Sequence, residues 1–214
     1  MRKFAGIALL LWPLIILWGC STNTVLVPVP PRVQLQAYGT LGLVEFDSNS
    51  NRAIDVQTTR EFASHIQAAQ PGTRIVELGS RESLLASVGG RELDALTLRR
   101  IGDKYGVDAI FVGSLTYSEP KTNVAVTDMS RLEGGLRIEI RADAYSKLVE
   151  TRTGAGVWSS SAWARRTLGK VHVSAEQGVS GAMRSGNPRE EMVPALLYHL
   201  TEDFRPSTVR QQVK

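Results

Sequence analysis

The sequence predicts an α/β fold: a single three-layer domain built on a mixed sheet of about five strands, in the order β-α-β-α-α-β-β-β-α, with a long antiparallel hairpin. Two observations predict it. Short apolar runs such as LGLVEF (Leu41 to Phe46) and RIVEL (Arg74 to Leu78) alternate with segments of helical period in the first half. In the second half, LRIEIRADAYSKL alternates strictly, with Leu136, Ile138, Ile140, Ala142, Ala144 and Leu148 on one side and Arg137, Glu139, Arg141, Asp143, Tyr145 and Lys147 between them. Period-two alternation of that length is the mark of a strand with one dry and one wet face.

The remaining elements follow in order. After the first strand, the run Asp47-Ser48-Asn49-Ser50-Asn51 reads as a turn. Thr58 and Glu61 stand at capping-box spacing and predict a helix start, with Phe62, Ile66 and Ala69 on one face and Pro71-Gly72 as the stop. Ser80 is placed to cap a short helix that Gly89-Gly90 ends, and a further helix is expected from about Glu92 to Tyr105, with Leu98, Ile101 and Tyr105 on one stripe. GVDAIFVGSL, Gly106 to Leu115, turns into a strand whose unbroken Ala109-to-Val112 run suggests burial on both faces. Glu150 to Gly154 reads as a turn in which Gly154 or Gly156 supplies a positive φ, and Val157 to Arg166 as the returning strand. Asn187 and Glu190, with Pro188 at the first position, predict a last helix striped by Met192, Leu196, Leu200 and Phe204. The connections 118–134 and 167–187 read as loops, the first for its charges and the second for its weak alternation.

The amino terminus carries a different kind of signal. Arg2 and Lys3 precede a fifteen-residue apolar stretch, Phe4 to Trp18, interrupted by Pro13. That is shorter than the roughly 20 residues of a spanning helix and has the regions of a secretory signal. The only cysteine, Cys20, closes Leu17-Trp18-Gly19-Cys20, which looks like a bacterial lipobox; one cysteine forms no internal disulfide. The expectation is a signal peptide over 1–19, lipid attachment at Cys20, a Pro-containing linker over 20–36, a periplasmic α/β domain over 37–205 and a tail over 206–214. Ser21 after the cysteine favours the outer membrane. Fifteen linker residues, Ser21 to Leu35, would reach roughly 45 Å if extended at about 3.1 Å each. Removing Arg2 and Lys3 lowers the formal charge from +4 to +2, and pairs such as Arg99-Arg100 and Arg165-Arg166 are too short for a phosphate-binding stripe. No nucleic-acid partner is expected.

Catalytic patterns are weak. His65, His172 and His199 are far apart in the chain and none has metal-ligand spacing. GVSGA around Ser180 lacks the second glycine of a nucleophile elbow, and SVGGRE lacks the lysine of a phosphate loop. The expectation is a protein that is not an enzyme, with no catalytic residue, metal, cofactor or small-molecule substrate. Trp158 and Trp163, five apart on one strand, must face opposite ways. One fills the core; the other is either an exposed contact for a partner or is covered by a second packed layer.

The order of these elements resembles the curli production assembly/transport lipoprotein family and the related peptidoglycan-synthase activator lipoproteins. The residues that carry it are RIVELGSRESLLAS, then IGDKYGVDAIFVGSL with Gly106, Asp108, Val112, Gly113 and Ser114, then LVETRTGAGVWSSSA with Glu150, Thr151, Gly154 and Trp158. The resemblance spans about Tyr38 to Phe204 and implies a periplasmic domain tethered to the outer membrane that works by binding proteins. It departs from the last motif by two additional residues before Trp158. Three roles follow: a structural or accessory interaction subunit of an envelope assembly or secretion system, an oligomeric secretion-channel subunit of the curli type, or an activator of a peptidoglycan synthase. The first leads, because the two connections do not read as membrane strands unless the neighbouring strands extend into them, and the tether is short for reaching through a cell wall. The partners implied are the outer membrane, through the lipid, and an envelope protein or further copies of the chain.

Overall fold

The computed structural model describes residues 24–128, 133–174, 178–183 and 186–212. Cys20 and the signal sequence lie outside them. The chain forms two compact units, one of residues 31–205 and one in which its two ends pair.

In the unit of the two ends, β1 (Thr24–Val29) pairs antiparallel with a C-terminal strand, Ser207–Gln212, in the register Leu26 to Arg210 and Val27 to Val209. Part of the stretch expected to be linker is thus extended as a strand, and the expected tail is its partner. Val25, Leu26 and Val209 on this ribbon are exposed.

In the larger unit, Leu35–Tyr38 makes a single 3-10 turn before β2 (Thr40–Val44) and the two-residue β3 (Asp47–Ser48). Helix α1 (Arg52–Ala69) leads to β4 (Arg74–Gly79); α2 (Arg81–Val88) and α3 (Ala95–Tyr105) lead to β5 (Ala109–Tyr117). Four strands follow: β6 (Lys121–Asp128), β7 (Glu133–Glu150), β8 (Gly156–Ser174) and β9 (Gly178–Met183). Then come a 3-10 turn (Glu190–Met192), α4 (Val193–Leu200), a second turn (Glu202–Phe204) and the ribbon strand β10 (Ser207–Gln212).

Several boundaries differ from the sequence expectation for local reasons. Helix α1 starts six residues before Thr58, because the Asn51 side chain accepts from Ile54 N at 3.0 Å and caps it there; Thr58 is buried in mid-helix. Helix α3 starts after Asp94, whose carboxylate accepts from Thr97 N at 2.7 Å, a bond that holds the Asp94 carboxyl below the usual range. It ends at Gly106, whose φ of 65° needs no Cβ to be accommodated. Asn187 and Glu190 do not cap the last helix: the Asn187 amide donates to Glu190 Oε1 at 2.7 Å at the start of a 3-10 turn, and α4 begins at Val193 with Pro194 in its first turn. Met192, Leu196, Leu200 and Phe204 are all buried, as the stripe predicted.

Among the described residues the sheet has eight strands, not about five, in the order β4-β2-β5-β7-β8-β9, with β3 beside β5 and β6 beside β7. β2 runs parallel to β4 and β5; the rest of the main path is antiparallel. The added strands β6 and β9 fall in the two connections expected to be loops. Charge and glycine hide them in the sequence, but β7 and β8 are 18 and 19 residues long and present backbone N–H and C=O groups along their full edges. Neighbouring chain satisfies those groups by pairing.

The fold is also not a simple three-layer stack. α1 and α4 cover one face of the sheet, over a core that includes Phe46, Phe62, Phe111, Trp158 and Phe204. α2 and α3 cover the other face over β4, β2, β5 and the end of β7, around Leu78, Leu84, Ile101, Ile110 and Val149. Beyond that the β7–β8 hairpin leaves first one helix layer and then both behind.

Candidate functional site

The part of the sheet that outruns the helices is where the two faces of β7 come into the open. Along β7, Ile140, Ala142, Ala144 and Leu148 are buried against α1 and α4. The same dry stripe continues toward the strand's start through Ile138 and Leu136, which are only half-buried. Their cross-strand partners extend the stripe sideways: Thr122 and Val124 on β6, Gly169 and Val171 on β8. Val124 is 71% exposed. An apolar strip thus emerges from beneath the helix layer.

The opposite face of β7 is polar from Arg137 to Lys147, before Val149 enters the second core. Arg141 Nε donates to both oxygens of Asp143, at 2.9 and 3.1 Å, and its guanidinium lies 5.1 Å from the centre of the Trp163 ring. The carboxylate beside it raises the Arg141 pKa further above its ordinary value. Glu139 sits between Arg137 at 3.7 Å and Arg165 at 4.0 Å and accepts from the Asn123 amide at 3.2 Å. Lys170 pairs with Arg137 across the strands. Asn123, Arg137, Glu139, Arg165 and Lys170 line a groove of about 840 Å³ over β6 to β9, to which Leu136, Val171, Ser180 and Ala182 also contribute.

A β-bulge makes this face continuous. The register steps from Ile138–Gly169 to Glu139–Thr167, so Leu168 is an extra residue on β8 and packs on the core. A bulge of this kind reverses the odd–even phase of a strand. Arg165, before it, and Lys170, after it, therefore share the polar face although five residues separate them.

The two tryptophans separate as their spacing requires. Trp158 is 8% exposed, packs on Phe111 and Phe204, and donates from Nε1 to Asp203 Oδ2 at 3.1 Å. Trp163 is 59% exposed on the polar face, with the half-exposed Tyr145 on the neighbouring strand. Trp158 is therefore the core residue, which leaves Trp163 as the one available for contact. Ser180 lies on β9 opposite His172 in register, on an exposed antiparallel strand and not at a strand-to-helix turn. His65 lies on α1 and His199 on α4. Among the described residues no group of three or more His, Cys, Asp or Glu side chains is placed to hold a metal ion, and no helix is long and apolar enough to cross a membrane.

Two interactions were not visible in the sequence. The buried Gln70 side chain accepts from Leu35 N at 2.8 Å and donates to Val33 O at 2.6 Å and Phe204 O at 3.1 Å, tying the entry of the unit to its exit. The buried Tyr117 donates to Arg189 O at 3.2 Å under the Arg189 guanidinium; burial pushes its hydroxyl up to about 12, against the opposing pull of Arg189. Both span sequence separations over which local patterns carry no information.

No family model matches the chain, and no curated protein matches it. Solved structures similar to it include the PelC dodecamer from Paraburkholderia phytofirmans, at 13% identity and a TM-score of 0.43, covering 86% of this chain and 98% of that one. Lipoprotein GNA1162 from Neisseria meningitidis aligns at 15% identity and a TM-score of 0.36, covering 73% and 92%. The LpoB C-terminal domain from Escherichia coli aligns at 16% identity and a TM-score of 0.32, covering 59% and 82%. One of these three, GNA1162, is described as a lipoprotein.

Proposed function

We propose that the chain is a non-enzymatic, outer-membrane lipoprotein, anchored through Cys20 on the periplasmic face, that serves as an interaction subunit of a cell-envelope assembly or secretion system. One observation carries the reading: the dry stripe of β7 runs on past the buried core and leaves Leu136, Ile138 and Val171 only half-buried and Val124 exposed. Apolar strips of this kind, rimmed by polar residues, mark surfaces that another molecule covers. The sheet's outer strands β6 and β9 each have a neighbour on one side only, among the described residues. The covering partner is another copy of the chain or an envelope protein.

A second reading, the oligomeric channel of the curli type, is favoured by a specific feature. β6 and the first half of β7 make one hairpin, on which Val124, Leu136 and Ile138 share one face and Lys121, Asn123, Arg137 and Glu139 the other; the second half of β8 and β9 make another. A membrane strand needs about 9–11 residues with such alternation; β6 has eight and β9 six.

The test is native mass spectrometry and negative-stain microscopy of the full lipoprotein in detergent. An interaction subunit runs as a monomer or small oligomer and captures a defined envelope protein after crosslinking; a channel forms rings. A lone monomer with no crosslinked partner overturns both. Anchoring is tested separately. Cys20→Ser should shift the protein from the membrane to the soluble fraction, and a mutant that pellets like wild type sinks the lipid anchor.

A further inference from the structure

The polar face of the β7–β8 hairpin has a composition that the interaction reading does not use. Arg137, Arg141, Arg165 and Lys170 lie on it against two carboxylates, Glu139 and Asp143, so the face is net cationic. From Arg137 to Asp143, the register partner of Trp163, is six residues, or about 20 Å along the strand. One end of this track is the groove over β6 to β9; the other is the exposed indole of Trp163, with Tyr145 diagonal to it.

We infer that this track binds an acidic polysaccharide, its carboxylates or sulfates lying along the arginines and Lys170 and a sugar ring stacking on Trp163. The inference rests on the envelope location proposed above, since that location removes nucleic acid as the competing polyanion. Three observations favour a glycan. Arginine guanidiniums in a row match carboxylates repeated along a stiff chain. A flat, exposed indole offers a π-face to the C–H side of a sugar ring. Between the groove and Trp163 the face is built of charged side chains, Glu139, Arg141, Asp143 and Arg165, with no apolar pocket for the side chains of a peptide. A bilayer is disfavoured for a geometric reason: the apolar strip is on the reverse side, so a membrane that took the strip would have the cations turned away from it.

The bulge at Leu168 supports the same reading. Without it, Lys170 would sit with the core-facing residues, and beyond Arg165 the track would keep Arg137 alone.

The test uses the full lipoprotein in detergent, retained in affinity gels containing polygalacturonate, dextran or polyglutamate; the Cys20→Ser form, which has no lipid of its own, is floated with phosphatidylglycerol vesicles in detergent-free buffer. Wild type should be retained by polygalacturonate and not by dextran, with retention falling as salt rises. Arg165→Gln with Lys170→Gln should weaken polygalacturonate binding about tenfold or more and flatten its salt dependence. Trp163→Ala should weaken it while leaving the salt dependence unchanged. Lys170→Gln alone provides the same reading if the double variant misfolds. Absence of retention, equal retention by polyglutamate, flotation with vesicles in place of polygalacturonate binding, or variants that bind like wild type would each overturn the inference. Native mass spectrometry of the same samples keeps the two claims apart: assembly without glycan binding defeats this inference alone, and glycan binding by a partnerless monomer defeats the assembly reading alone.

Discussion

Gly113 on β5 lies directly beneath the ring of Phe46, so closely that a Cβ at that position would overlap the aromatic carbons. Both residues are buried, and Phe46 in turn packs on Phe62 at 5.0 Å between ring centres. Gly113→Ala must therefore displace a ring wedged in the core. Overpacking of this kind costs about 1–3 kcal/mol, to be read as a lowered midpoint in urea. An unchanged midpoint would mean that Phe46 has room to move.

The tryptophans give a contrast within one strand. Trp158→Ala removes a ring packed on Phe111 and Phe204 and leaves Asp203 without its indole donor; the expected loss is about 3–5 kcal/mol. Trp163→Ala removes an exposed ring and should change stability by about 0.5 kcal/mol or less. Thermal melts of the two variants decide the assignment. Equal destabilisation would contradict it.

Gln70 joins three backbone groups from both ends of the larger unit. Gln70→Leu keeps the volume but strands the Leu35 N–H and the Val33 and Phe204 carbonyls. Each buried group left without a partner costs about 1–3 kcal/mol. Hydrogen exchange at the Leu35 amide should accelerate in this variant by more than at β5 amides. Uniform acceleration would point to global destabilisation only.

Tyr117 makes stability depend on alkaline pH. Its folded pKa, about 12, is above the ordinary tyrosine value of 10.0, because burial disfavours the phenolate. The folded state thus holds the proton more tightly, so this contribution is complete below pH 10 and is lost as pH rises from there through about 12. Urea midpoints should fall across that window in wild type. In Tyr117→Phe the fall should be shallower, from a starting stability already lowered by the lost bond to Arg189 O.

Much of the fold was legible because it is written in local periodicity. Alternation identified β7, five-residue spacing put the tryptophans on opposite faces, and the stripe Met192-Leu196-Leu200-Phe204 marked the last helix. What failed to show were features whose cause is not local. β6 and β9 have mixed composition and become strands because two long edges stand beside them. The first turns of α1 are polar enough to hide behind the stronger-looking Thr58–Glu61 pair, yet Asn51 holds the cap. The candidate site suffered the same way. Trp163 was marked, but Lys170 and Arg165 share a face only through the bulge, which no count along the sequence places. Cys20 lies outside the described residues and stays a proposal resting on the lipobox.

Leu168 works as a phase slip of a single step. Substituting it with another apolar residue should leave every later side chain of β8 on its present side, whereas deleting it would trade places between the members of each following pair. Mutational tolerance at this position should therefore split by type, generous to exchange and intolerant of loss. A chain shorter by that one amino acid would turn Val171 to the charged side and Lys170 to the greasy one, while keeping its composition almost intact.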